Sequence, residues 1–545
     1  MTAGKPPRRR WIAAFVAALL LQALLVQPDH PGGLTRAMLL QPTLELPVIL
    51  LALLVLGTSR LGVVFRFALT GAMTAIFLLK TADFGMQMVH GRPFDLVSDV
   101  PLLDAAFRMI DGAFGRLAAL GATVVAALLV IGVVAAVWWA TGVWARIALP
   151  TGGRWLAALG CGVAAILAAS EARLLPAGWN TTGIPGIAGA THYAFQSVRE
   201  VQSTLAGLRE FTEATARDGL AGQPVLFDAI DRDVLVIFIE SYGRASLDTP
   251  FYAERHRATL EAKTNRLEAL GLAIRSAYLS APTRGGQSWL SHATFANGLW
   301  VNDQSRYRAL LASERQSLFH IARRNGLRTA VAAPAITMPW PEAAEMGFDT
   351  VLAAKDLGYN GKPFNWVTMP DQFTLAALDR LLRHDQQAPP LFAEVPLVSS
   401  HAPWVPVPDL LDWEELGDGR IFDEMATSGD PPRVVWSDPE RVQVQYRKAV
   451  DYSLRTVFDY AALHADDPPL MIVLGDHQTS GTIAQDERPD VPIHVIGPPA
   501  LMTRIDDWGW RSGLVPAPEP VVPMDRMRDM ILRAFTTAPL PGTEG

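Results

Sequence analysis

The sequence predicts a membrane-embedded helix bundle of about five spans, followed by an α/β domain built on a largely parallel central sheet flanked by helices. Three observations predict it. Hydrophobic residues make up 50% of the 545 and charged residues only 19%, with a mean hydropathy of +0.19, which is high for a soluble enzyme. Long apolar runs crowd the first third of the chain. From Asp231 onward, short β-branched runs alternate with helical patterns, the signature of an α/β sheet.

The apolar runs are Trp11–Val26, Leu44–Leu61, Val63–Leu79, Leu117–Trp144 and Trp155–Ala169. Each approaches or exceeds the ~20 residues that cross a bilayer core. The first follows Arg8-Arg9-Arg10 and ends in Gln27-Pro28-Asp29 without a small-residue cleavage site, so it reads as an uncleaved span rather than a signal peptide. Gly57-Thr58-Ser59-Arg60 marks a tight cytoplasmic turn between the second and third. Basic residues set the orientation: Lys5, Arg8, Arg9, Arg10, Arg60, Arg146 and Arg154 fall on one side, with Arg66 snorkelling toward it. Arg36, Lys80 and Arg92, mixed with Asp29, Asp83, Asp95 and Asp99, fall on the other. The N-terminus is then inside and everything after about Leu175 outside, as expected of a multi-pass protein of a bacterial-type inner (plasma) membrane. Asp83 and His90 read as solvated loop residues just beyond the third span. The expected divisions are a bundle over 1–175, a juxtamembrane helical linker over 176–225, and an extracytoplasmic catalytic domain over 226–545.

A net charge of −7 and the lack of a basic stripe argue against nucleic acid as a partner. Cys161 is the single cysteine, which rules out an intrachain disulfide and a CxxC metal site.

In the second half, Asp233–Ile239, Ala273–Leu279, Arg328–Ala333, Leu391–Leu397, Met471–Leu474 and Val491–Ile496 read as strands, and Ser317–Asn325, Gln372–Arg383 and Arg441–Leu463 as helices. Ligands of such sheets bind beyond the carboxyl ends of the strands. There the first strand ends in Glu240-Ser241 and the fifth in Gly475-Asp476-His477. Oxygen and imidazole donors meeting at strand ends suit one divalent cation, Zn²⁺, Mn²⁺ or Mg²⁺. Taken singly, Glu240 also reads as a helix-capping charge and Asp476-His477 as a turn.

Thr283-Arg284-Gly285-Gly286-Gln287-Ser288 follows the second strand. Its glycines permit close backbone approach, and a serine at a helix start meets an anion-favouring terminus. Ser288 reads either as a metal-activated nucleophile or as an N-cap. His401, after the fourth strand, reads as a group that holds a phosphate oxygen or protonates a leaving group, or as a structural histidine. Arg284 is a candidate for anion binding and Trp404 for the wall of a headgroup pocket, with ordinary packing as the alternative for Trp404.

In this order, strand–Glu240, glycine-rich loop–Ser288, strand–His401 and Gly475-Asp476-His477, the motifs resemble the extracytoplasmic domain of the alkaline-phosphatase/sulfatase superfamily. They are most similar to the lipoteichoic acid synthase and phosphoglycerol transferase branch. Ser317-Leu318-Phe319-His320, Gly347-Phe348-Asp349 and Met369-Pro370-Asp371-Gln372 add to the likeness. The resemblance implies that Glu240, Ser288, Asp476 and His477 ligate the metal, that Ser288 replaces the usual threonine nucleophile, and that His401 contacts the transferred phosphoryl group. It implies a membrane phospholipid as donor and a glycan or lipid as acceptor. Ser288-Trp289-Leu290-Ser291-His292 lacks the proline and arginine of the sulfatase motif, which argues against formylglycine chemistry. A hydrolase using water at the same site, and a degenerate sensor or assembly domain, are the other classes the sequence leaves open.

Overall fold

The computed structural model describes residues 8–540, apart from 36–37, 39–40, 91, 101, 175–185, 221, 339 and 386. Lys5 and Arg36 of the charge count lie outside the described residues. The chain forms two compact units, Met1–Gly207 and Leu208–Gly545.

The first unit contains helices α1 (Arg8–Val26), α2 (Glu45–Leu56), α3 (Arg60–His90), α4 (Leu102–Phe114), α5 (Arg116–Ala145) and α6 (Thr151–Glu171), and the greater part of α7 (Gly189–Thr215), whose residues from Leu208 belong to the second. Among the described residues four helices, α1, α3, α5 and α6, are long and apolar enough to cross a membrane. The expected span Leu44–Leu61 is cut short. Gly57, at φ +54°, ends α2 after 12 residues, and Ser59 then caps the next helix by accepting from the Gly62 amide at 3.1 Å. Twelve residues rise about 18 Å, well under a ~30 Å core.

Two outer-loop assignments are also corrected. Lys80 and Asp83 lie within α3 and are buried. The Lys80 ammonium donates to the carbonyls of Leu25 and Gln27 at the end of α1, at 3.4 and 3.0 Å, satisfying acceptors that a helix terminus leaves open. Asp83 accepts from the Phe94 amide at 2.7 Å and from the Tyr193 hydroxyl. Two donors offset part of the cost of burying a carboxylate. Tyr193 belongs to α7, which makes two further bonds of this kind: the Thr191 amide to Glu45 at 3.0 Å and the Thr204 hydroxyl to Asp95 at 2.6 Å.

The second unit carries a nine-stranded sheet. Its strands are β1 (Val234–Ile239), β2 (Ala273–Ser280), β3 (Arg328–Ala333), β4 (Thr350–Ala353), β5 (Leu391–Leu397), β6 (Leu470–Gly475), β7 (Asp490–Gly497), β8 (Arg511–Ser512) and β9 (Val521–Pro523). The order is β4-β3-β5-β1-β6-β7-β2-β8, with β9 on β2. From β4 to β6 all neighbours are parallel; β7 is antiparallel to both β6 and β2. Helices α8 (Pro250–Ala269), α9 (Ser288–Asn297), α10 (Asp371–Leu378), α11 (Pro439–Leu463) and α12 (Met527–Ala534) are the ones that matter below.

Helices cover both faces, so β1 is buried at every residue. Successive side chains alternate between faces. Leu235, Ile237 and Ile239 pack into one core with α8 and α11, whereas Val234, Val236 and Phe238 pack into the other with α9 and α12. β6 divides the same way, with Met471 and Val473 on the first face and Leu470, Ile472 and Leu474 on the second. Continuing this count past the strand ends assigns Glu240 and Asp476 to the α9 face.

One buried residue makes the domain sensitive to acid. His494 of β7 is fully buried between the Ser276 hydroxyl (2.8 Å to Nδ1) and the Tyr242 hydroxyl (3.2 Å to Nε2). Burial pushes it down to about 3. Between that value and the ordinary ~6.5 the unfolded chain binds the extra proton. The stability is therefore complete above pH ~6.5 and is lost as pH falls toward 3, by about 2 kcal/mol at pH 5. In thermal unfolding of the detergent-solubilised protein from pH 7.5 to 5, His494→Gln is expected to flatten the fall of Tm by about one proton's worth.

Candidate metal and phosphoryl-transfer centre

β1 lies between β5 and β6, so the ends of all three open side by side. The loops after β1, β2 and β5 each carry a residue with positive φ. Ser241, directly after Glu240, has φ +58°; Gln287, directly before Ser288, has φ +64°; Trp404, just past His401, has φ +60°. Non-glycine residues in this left-handed region are strained, and such strain gathers at functional sites. Gly475 allows the β1 turn to cross β6: a Cβ there would meet the Tyr242 carbonyl oxygen at 1.9 Å. Gly475→Ala is expected to cost about 3 kcal/mol or more of stability, read as a drop in Tm together with loss of metal binding.

Glu240, Asp476 and His477 are buried, and one ligand atom from each lies within 4.8 Å of the others. The Asp476 Oδ1 accepts from the amides of Ser241 (2.8 Å) and His477 (2.6 Å). Its other oxygen is left for the centre. The Glu240 Oε1 accepts from the Ser241 hydroxyl at 2.9 Å. His477 Nδ1 is 3.1 Å from the Gln478 carbonyl, which fixes the N–H there and leaves Nε2 as the free donor atom. That Nε2 is buried and makes no hydrogen bond, although Glu240 Oε1 is 3.2 Å away. An orphaned buried imidazole nitrogen facing two carboxylates fits a divalent cation.

The charges favour the same reading. Burial would raise the Glu240 carboxyl, but the His477 and His401 imidazoles outweigh it and hold it below the usual carboxylate range. Burial and then the Glu240 charge push Asp476 up to about 6. Burial would lower His477, but Asp476 and Glu240 raise it to about 9. A proton on His477 thus balances the two carboxylates, in the place a cation would take.

Ser288 is the first residue of α9. Gln287 holds the cap position and makes no side-chain cap, so the N-cap alternative for Ser288 does not hold. Its hydroxyl instead donates to Glu240 Oε2 at 3.2 Å. The loop before it is pinned to the Asp476 turn by the Gly285 amide on the Gln478 carbonyl at 2.8 Å and by a bridge between Arg284 and Gln478.

The remaining candidates fall differently. His401 is exposed on the β5 loop, its Nδ1 directed at the Ala402 carbonyl, and its charge reaches Glu240. Arg284 turns its guanidinium to the Glu487 carbonyl at 2.8 Å. Trp404 is 4% exposed, stacks on Trp436 and meets Tyr446 edge-on in the core, which is the packing alternative. Trp289, beside Ser288, is 38% exposed.

Sequence reasoning passed over one pair on this face. His292 lies one turn beyond Ser288 on α9, and its Nδ1 is 3.1 Å from Oε1 of Glu394, a buried carboxylate in the middle of β5. The signal was present: a glutamate inside Leu391-Phe392-Ala393-Glu394-Val395, with hydrophobic residues on either side.

No family model and no curated protein matches this sequence. Solved structures similar to it include the lipoteichoic acid synthase LtaP from Listeria monocytogenes (13% identity, 61% of this chain and 79% of that one, TM-score 0.38). Others are the zinc complex of the periplasmic domain of EptC from Escherichia coli (15%, 51% and 76%, 0.33), and the Streptococcus pyogenes phosphoglycerol transferase GacH with sn-glycerol-1-phosphate (12%, 61% and 92%, 0.34). At this level of similarity the site itself has to carry the function.

Proposed function

We propose that this protein is a membrane-anchored, metal-dependent phosphoryl-group transferase that moves a phospholipid headgroup, phosphoglycerol foremost, to a glycan or lipid acceptor through a covalent intermediate on Ser288. The observation that carries the reading is the Ser288 hydroxyl on Glu240, within a buried Glu240–Asp476–His477 cluster whose imidazole has a free nitrogen.

Glu240, Asp476 and His477 would hold one divalent cation, with the Ser288 oxygen beside them. When bound, the cation supplies positive charge to the phosphoryl oxygens and to the serine oxygen. Ser288 attacks phosphorus from the first turn of α9, where the helix terminus favours the anionic group. Diacylglycerol leaves and the phospho-headgroup stays on Ser288. His401, exposed on the loop after β5, would protonate the departing oxygen. The acceptor then attacks and restores the serine. Apolar helices in the same chain confine the site to the surface that holds a lipid donor, raising its effective concentration.

The test is direct. Purified full-length protein loaded with manganese in mixed micelles is incubated with phosphatidylglycerol, then with phosphatidylethanolamine, and peptides are weighed by mass spectrometry. A headgroup-phosphate adduct on the Ser288 peptide is expected, and it identifies the donor. No adduct with either lipid, in protein shown to bind manganese, overturns the reading. An adduct that water discharges as fast as any added glycan or glycerol makes the protein a hydrolase instead.

A further inference from the structure

The scheme above leaves a buried acid–imidazole pair unused beneath the nucleophile. Glu394 sits on β5 beside Val236 of β1 and Val331 of β3, in the most apolar part of the sheet, with its side chain 3% exposed. A carboxylate there is costly unless a charge or donor faces it. What faces it is His292, 3.1 Å away through Nδ1, with its ring stacked on Phe238 at 4.0 Å between centroids. The other nitrogen, Nε2, is buried and makes no hydrogen bond.

The direction of that nitrogen follows from helix geometry. Residues four apart share a face, and helical side chains lean toward the N-terminus. His292 therefore leans over the turn that begins with Ser288. It also lies within electrostatic range of Asp476. Tyr307 is also within electrostatic range of Glu394. An imidazole whose N–H is fixed by a carboxylate, and whose second nitrogen is unpaired on the helix face that carries a serine one turn earlier, has the parts of the arrangement that activates hydroxyl nucleophiles.

In the present structure the Ser288 hydroxyl donates to Glu240. A carboxylate engaged with a cation is a poorer proton acceptor, so the serine proton needs another destination. We propose that His292 is that acceptor, and that Glu394 is the positioning residue that keeps Nε2 unprotonated; the assignment rests on the covalent reading above. In the first half-reaction the Ser288 O–H bond breaks and its proton forms a new N–H at Nε2. The oxygen's electron pair bonds to phosphorus. The electrons of the broken P–O bond go to the diacylglycerol oxygen, which takes a proton from protonated His401. In the second half the acceptor hydroxyl bonds to phosphorus and gives its proton to His401, while the P–Oγ bond breaks and Ser288 recovers its proton from His292.

The experiment measures single-turnover formation of the Ser288 adduct from phosphatidylglycerol by the full-length, manganese-loaded protein, with manganese affinity measured separately by calorimetry. Glu394→Gln keeps the shape but offers an amide in place of the carboxylate, favouring the wrong tautomer. It is expected to slow adduct formation by about 10²-fold or more with manganese affinity within twofold of wild type. His292→Ala is expected to slow it comparably, and added imidazole to restore the rate in proportion to its free base. Adduct formation by Glu394→Gln within threefold of wild type overturns the proposal. So does a slow His292→Ala that imidazole fails to rescue, and so does a loss of manganese binding in step with the rate, which would assign the pair to supporting the cation site. If wild type itself forms no adduct, the covalent reading falls first and this assignment falls with it.

Discussion

Ser288→Ala is expected to abolish headgroup transfer, by about 10⁴-fold or more, the scale seen when a nucleophile is removed from an enzyme that forms a covalent intermediate. The structure separates this loss from any loss of fold. Ser288 begins α9 but does not cap it, since Gln287 occupies the cap position. The helix is instead anchored by Leu290, Ala293, Phe295 and Ala296, which are buried against the sheet. Manganese affinity should fall little, because Glu240, Asp476 and His477 all remain. Ser288→Thr makes the complementary case. It keeps the hydroxyl, and threonine is the usual residue in the enzymes the sequence resembles, so activity should survive. A combined measurement of single-turnover transfer and manganese calorimetry checks both variants. Full transfer by the alanine protein would remove Ser288 from the chemistry.

Asp476→Asn should have an effect of similar size with an unusual companion. The metal-dependent rise in stability should disappear: about 4 kcal/mol when the cation is present at a thousand times its dissociation constant. The metal-free protein, however, should be as stable as wild type or more so. Asparagine keeps an oxygen to accept from the Ser241 and His477 amides. It removes a carboxyl that burial and the Glu240 charge have already pushed up to about 6. Opposing a buried like charge costs stability that only a cation or proton returns. Thermal unfolding of both proteins, with and without manganese, checks the prediction. A variant much less stable than wild type in the absence of metal would show Asp476 to be a structural residue first.

How much of this was legible in the sequence depended on whether local pattern or long-range pairing decided the point. The strands Arg328–Ala333 and Leu391–Leu397 have the expected bounds, because a strand covered on both faces is mostly hydrophobic even where, as at Glu394, one charged residue interrupts it. Glu240 and Asp476-His477 were legible for the same reason: polar groups directly after such runs stand at strand ends. The turn that ends the short second helix was legible in Gly57-Thr58-Ser59-Arg60. Counting the apolar run across that turn to Leu61 is what made the segment look long enough to span. Lys80 and Asp83 looked like loop residues because their partners, the carbonyls of Leu25 and Gln27 and the hydroxyl of Tyr193, are remote in sequence. β8 and β9 have two and three residues, too few for any period to show. α8 escaped because most of its residues are polar and only a narrow stripe of Tyr252, His256, Leu260 and Leu267 is buried. The His292–Glu394 contact joins residues on two different elements, so neither local pattern announces it.

The position of β1 at the middle of the sheet has a consequence for how the chain is made. Val234–Ile239 emerges first of all the strands, yet its two neighbours are β5 and β6, and neither can pair with it until Leu391 and Leu470 have followed. For that interval a six-residue segment of Val-Leu-Val-Ile-Phe-Ile has both edges unpaired. Uncharged, proline-free and β-branched, it has the composition that seeds intermolecular strand pairing. Domains dominated by such distant pairings fold slowly. Synthesis of this protein therefore carries an aggregation risk set by chain order rather than by final stability. Charged Asp231, Arg232 and Asp233, directly ahead of the strand, stand where gatekeepers against that outcome are placed.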